Sequence, residues 1–150
     1  MAVGDILKEA LLVVETFPVK AATSIAKGAL VVDDGAGLIS ATAALAAAGK
    51  AMMALEASVA AVPATIKCVI VGFVEAQKVA ASGAARKGDK LMISATAGAV
   101  TKFVKADAPA AYAEATIQAN YDLNLGVVGI ATADTADAAV TQKMLLGVIG

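Results

Sequence analysis

Residues 54–72 read ALEASVAAVPATIKCVIVG, and seventy-five positions on, residues 129–147 read GIATADTADAAVTQKMLLG. Each copy opens on small residues and an acid-bearing turn, Glu56 with Ser58 in the first and Asp134 with Asp137 in the second. Each then carries a Thr, a Lys and an apolar run that closes on Gly, and the two overlay without a gap. A stretch written twice points to a body made of two copies of one unit. The nature of the unit is set by residues 65–74, TIKCVIVGFV, whose long β-branched run is the clearest strand in the chain.

Outward from the repeat, each half begins alike. Lys27-Gly28 leads into Ala29-Leu30-Val31-Val32, an Asp33-Asp34-Gly35-Ala36-Gly37 turn and Leu38-Ile39. Aliphatic runs on either side of an Asp/Gly cluster signal a hairpin. Sixty positions later, Lys87-Gly88-Asp89 leads into Lys90-Leu91-Met92-Ile93, a turn around residues 95–98, and Val100-Thr101-Lys102-Phe103-Val104. The repeat units are therefore expected over 24–72 and 86–147, with residues 75–85 as the link. Residues 45–62, LAAAGKAMMALEASVAAV, resist this pattern, because alanine is the best helix former. Their partner, residues 125–137, is rich in Gly, Thr, Val and Asp and reads as extended. If both copies share a fold, residues 52–55 form a strand.

Two segments fall outside the repeat. In residues 1–22 the apolar Ile6, Ala10, Val13, Val14 and Phe17 follow helical spacing, while Leu11-Leu12-Val13-Val14 reads equally as a strand, and Pro18 stops either. This segment is either an ordinary first element on its own core or an amino-terminal arm reaching a neighbouring subunit. Residues 106–123 are an insertion read as a short helix or a surface loop. Within it Tyr112 and Tyr121 are two of only five aromatic residues and are candidates for core or for contact surface.

Composition narrows the function. Twelve Lys and Arg against 13 Asp and Glu give a net charge of -1, which removes the basic face that nucleic acid demands. The hydrophobic fraction of 59% exceeds what a monomer of this length readily hides, although alanine supplies much of it, so the excess suits a subunit interface. The longest charge-free run, residues 35–49, is too short and too weakly apolar for a spanning helix, and Asp5, Lys8 and Glu9 stand where a signal peptide would carry bare positive charge followed by an apolar stretch. No membrane partner is expected. With no His and a single cysteine, Cys68, neither a Cys/His zinc site nor an internal disulfide can form. None of the five serines lies in a G-x-S-x-G elbow, and no phosphate-binding G-x-x-x-x-G-K-[ST] loop occurs. The paired acids Asp33-Asp34 and Asp134 with Asp137 could meet calcium or magnesium, but turn and capping roles are far commoner for aspartate. The expectation is a protein without catalysis, cofactor or metal.

Three features together, the Lys27-Gly28-Ala29-Leu30-Val31-Val32 step, the Arg86-Lys87-Gly88-Asp89-Lys90-Leu91 step and the Leu125-Gly126-Val127-Val128-Gly129-Ile130-Ala131 run with its acidic turn and last strand, carry a resemblance. The chain resembles the decoration (cement) proteins of tailed-virus heads, in particular the β-rich capsid-stabiliser family found beside major capsid proteins. The likeness spans residues 24–147, with the alanine-rich 41–62 region departing from it. It implies a mainly β fold: a compact β-sandwich or barrel-like body of two related halves (residues 23–150), with an N-terminal arm (residues 1–22) and a short helix or loop insertion. It further implies a homotrimer on the outer surface of the virion, made in the host cytoplasm, clamping neighbouring copies of the major capsid protein. Ile6, Leu11, Leu12, Val13, Val14, Phe17, Tyr112 and Tyr121 are then the candidate interface residues. The alternative is a shell or tube subunit that assembles by itself.

Overall fold

The computed structural model describes residues 6–42, 50–60, 62, 64–104, 117–118 and 126–147, with the backbone alone for residues 6–11. These residues form nine strands: β1 (Ile6–Pro18), β2 (Leu30–Asp33), β3 (Leu38–Ser40), β4 (Met52–Ala54), β5 (Thr65–Gln77), β6 (Lys90–Ile93), β7 (Val100–Lys102), β8 (Val127–Ala131) and β9 (Thr141–Leu146). One sheet takes them in the order β3-β2-β4-β5-β9-β8-β6-β7, with β1 added along β5. All its ladders are antiparallel, and it curls into a half-barrel. The mainly β, barrel-like body expected from the repeat is the fold of the protein.

The two halves are related bond by bond. Val19 bridges Leu38 in parallel and Lys78 bridges Val100 in the same way; Ile25 with Ser58 and Ala85 with Thr135 form matching antiparallel bridges. Gly28 N–H donates to the Ala54 carbonyl at 2.8 Å, as Gly88 N–H does to that of Ala131 at 2.8 Å. Leu55 N–H donates to the Lys67 carbonyl, and Thr132 N–H to that of Lys143. These bonds set Ala54 against Ala131 and Lys67 against Lys143, offsets of seventy-seven and then seventy-six, where the ungapped overlay gave seventy-five. The second copy has lost one residue beside the position of Pro63. Gly72 and Gly147 share a residue type but not a place, because the pairing puts Gly147 opposite Val71 in the overlay.

The segment before the repeat also belongs to it. Thr16 faces Lys67 across β1 and β5, as Glu75 faces Lys143 across β5 and β9. Each unit is thus five strands in which the first pairs with the fifth. The first strand is β1 in one unit and the carboxy-terminal part of β5 in the other. The amino-terminal part of β5 closes the first unit. Residues 13–19 and 72–78 share no identical aligned residue, so only the ladder reveals the match.

Burial follows the pleat. Along β4, Met53 enters the main core cluster with Leu30, Val32 and Val69, while Met52 and Ala54 enter a second cluster with Ile25, Val31, Leu38, Ile66 and Cys68. Successive side chains point to opposite faces, so this part of the sheet is covered on both. Residues 19–29 and Phe17 supply the second cover. Alanine and methionine suit so tight a layer, and tertiary pairing here overrides the helical propensity of residues 51–54. Val69 and Val74 both join the main cluster although an odd number of positions separates them. β5 therefore turns its other face inward as it passes from the first unit to the second.

A tight stitch joins the units at their far ends. The β6–β7 turn, residues 94–99, is two residues longer than the β2–β3 turn, residues 34–37. It reaches across so that Leu30 N–H donates to the Gly98 carbonyl at 2.8 Å and Gly98 N–H donates to that of Ala41 at 2.8 Å. Gly98 has φ +78, and a Cβ there would sit 2.9 Å from the Ala29 Cβ, so glycine is required both by the turn and by the approach.

Candidate functional site

On β5 and β9 the residues Glu75, Thr141 and Lys143 share one face, since Glu75 pairs with Lys143 and Gln77 with Thr141. The loop 132–140 between β8 and β9 arches over them. Between loop and sheet lies a cleft of about 290 Å³, lined by Glu75, Thr141 and Lys143 below and by Asp134, Thr135 and Ala136 above, among others.

The loop is held rigidly. Lys78, only 5% exposed, directs its ammonium at the carbonyls of Asp137 (3.0 Å), Val79 (3.2 Å) and Ala139 (3.5 Å). The Asp137 carboxylate accepts from Gly83 N–H at 2.6 Å, and that of Asp134 accepts from Lys87 N–H at 2.8 Å. Gln142, buried on β9, donates to the carbonyl of Ala133 at 3.2 Å. The acids of the turn therefore act as acceptors for backbone N–H groups. Asp33 and Asp34 do the same for Gly35 and Ala36, and Glu56 for Lys67. Among the described residues no group of three or more His, Cys, Asp or Glu side chains could hold a metal ion.

Glu75 is different. It is 7% exposed; its Oε1 accepts from the Thr141 hydroxyl at 2.7 Å, and its Oε2 has no hydrogen-bond partner among the described residues. Among the described residues no ion pair joins it to Lys143. A buried carboxylate oxygen without a donor is costly, by about 1–3 kcal/mol or more, and is therefore rare. Among the described residues the other buried side-chain oxygens without a partner are Ser58 Oγ and Gln142 Oε1.

Two other acids and the cysteine have settled surroundings. Lys20 hydrogen-bonds Asp34 and, with the N–H of Ala36, holds that carboxyl below the usual carboxylate range. Asp89 is held low first by the N–H of Arg86 and then by Lys102 at 2.9 Å. Burial pushes the Cys68 thiol up to about 12, with Glu56 adding to the shift. Such a thiol is inert packing.

Of the residues singled out from sequence as interface candidates, Leu12, Val13, Val14 and Phe17 are not among those lining this cleft. Ile6 and Leu11 are in β1, with side chains outside the described residues. Leu12 packs half-buried on the main cluster, Phe17 half-buried on the second, and Val13 and Val14 are exposed on the same strand. Tyr112 and Tyr121 lie outside the described residues; of the insertion, Ile117 and Gln118 are described, and both are exposed. The cleft itself escaped the sequence reading, which took residues 75–85 as a link. The one available signal was an acid at the end of an apolar strand run, VGFVEAQ. Comparison with protein-family models, with curated proteins and with solved structures finds no match for this chain.

Proposed function

We propose that the protein is a structural, non-catalytic virion component that binds the outer surface of an icosahedral capsid as a homotrimer and clamps neighbouring copies of the major capsid protein. The observation that carries this reading is the apolar exposure of the connecting segments outside the sheet. Val59, Val62, Val104 and Val140 are 63–69% exposed. Val59 and Val62 lie on the β4–β5 connection and Val140 on its counterpart between β8 and β9, so both units present valine from equivalent loops. Apolar side chains on a rigid β body favour a protein surface as partner. A trimer engaging several shell subunits at once gains avidity from contacts that are individually weak. The resemblance of the Lys-Gly steps and of the final run to capsid stabilisers supports the same reading.

The test is cosedimentation of the purified protein with capsid shells assembled from tailed-virus major capsid proteins, with native mass spectrometry of the free protein. Saturable binding by wild type, lost in a folded Val59→Lys/Val140→Lys double variant, supports the reading. Ordered particles formed by the protein alone would assign it instead to self-assembling shell subunits, and a monomer that ignores the shells overturns it.

A further inference from the structure

We infer that the cleft between β5, β9 and the loop 132–140 is a binding site for a cationic side chain, the ammonium of a lysine or the guanidinium of an arginine presented by a partner protein. Glu75 Oε2 is an acceptor with no donor among the described residues, in a group more than nine-tenths buried. The same residue lines a cleft of about 290 Å³, room for a cationic head and part of its stem. The charged residues lining the cleft, Glu75, Asp134 and Lys143, sum to −1, so the site favours a cation over an anion. A charge-assisted bond to a carboxylate is about twice as strong as a neutral one. Thr141 holds Oε1 in place, and Oε2, itself shielded from solvent, meets the guest as the carboxylate swings toward the cleft. Ala133, Ala136 and Ala139 line the cleft and offer apolar surface to the methylene stem. Lys143 opposes the guest electrostatically and sets the affinity below that of an all-acidic site. The first unit has no such feature: Thr16 stands where Glu75 does. This inference holds whether or not the partner is a capsid shell.

The experiment titrates N-acetyl-L-arginine amide into ¹⁵N-labelled full-length protein at low ionic strength, with the neutral isostere N-acetyl-L-citrulline amide as control. The expected result is saturable amide shifts at Thr135, Ala136, Thr141 and Lys143 with the arginine probe alone. Glu75→Gln, folded by circular dichroism, weakens binding about tenfold or more, whereas Lys143→Met strengthens it severalfold. Shifts that never saturate, an equal response to citrulline, or a folded Glu75→Gln that binds like wild type overturn the inference. If Glu75→Gln does not fold, Lys143→Met decides alone: tighter binding upholds the site, and unchanged or weaker binding overturns it.

Discussion

Glu75 and Lys143 stand directly opposite one another across the β5–β9 ladder, yet the hydrogen bond of the carboxylate goes to Thr141, diagonally beside Lys143. The equivalent pair in the other unit is Thr16 and Lys67, a neutral residue against the same lysine. Where the first unit places the exposed Thr16, the second thus buries an acid at the floor of a cleft. Its stability then depends on the single hydroxyl that serves it.

Removing that hydroxyl is the first prediction. Thr141→Val leaves both Glu75 oxygens without a donor, and the urea midpoint should fall by the equivalent of about 1–3 kcal/mol. Adding Glu75→Met to that variant should recover most of the loss, because both polar partners are then gone. A double variant less stable than Thr141→Val would show that Glu75 finds another donor.

Gly129 and Gly35 should respond differently to a methyl group. A Cβ at Gly129 would lie 2.2 Å from the Leu145 carbonyl oxygen and 2.6 Å from the Met144 methyl, inside the β8–β9 ladder. Gly129→Ala must push the strands apart, at the upper end of about 1–3 kcal/mol. Gly35 has φ +90 with open space around it, so Gly35→Ala costs only the backbone strain, about 1 kcal/mol. Equal losses of thermal stability in the two would contradict the close approach of β8 and β9.

Acid should loosen the second unit through Asp89. Its folded pKa lies below the ordinary 3.8, held there by Arg86 N–H and then by Lys102. A depressed folded pKa means stability that is present above 3.8 and lost as pH falls through the folded value. Asp89→Asn should therefore reduce stability at pH 6 and flatten its fall below pH 4, measured by urea unfolding across that range. A pH profile identical to wild type would remove Asp89 from the account.

Cys68 should be silent until the chain unfolds. Its thiol is fully buried and pushed up to about 12 by burial and then by Glu56. At pH 8 a disulfide reagent such as DTNB should react with the folded protein at the rate of global opening, and titrate one thiol at once in denaturant. Rapid reaction without denaturant would place Cys68 outside the core.

Much of this architecture was legible in the order of residues, and the parts that were not have physical causes. The Asp33-to-Gly37 cluster turns between β2 and β3, and the β-branched run from Thr65 is β5, both set by local chemistry that any window reveals. Met52–Ala54 could be read as a strand only through its partner copy, because alanine's propensity is helical and what overrides it is burial on two faces. The place of β1 in the repeat was invisible, since Thr16 and Glu75 have register in common and no chemistry. Glu75 looks like any acid at the end of a strand until the loop 132–140 closes over it.

β5 ends one unit and starts the other, which bears on how the chain is made. By the time residue 77 has left the ribosome, every strand of the first unit has been synthesised, so that unit can close while the second is still being translated. The half of β5 that waits for β9 then stands as a template, and the main core is completed when the second unit adds Leu91, Ile93, Met144 and Leu146. A gene fragment ending at residue 77 therefore lacks Leu91, Ile93, Met144 and Leu146 of the shared core and should not hold the native shape by itself, and one starting at residue 78 lacks the strand its β9 must dock against.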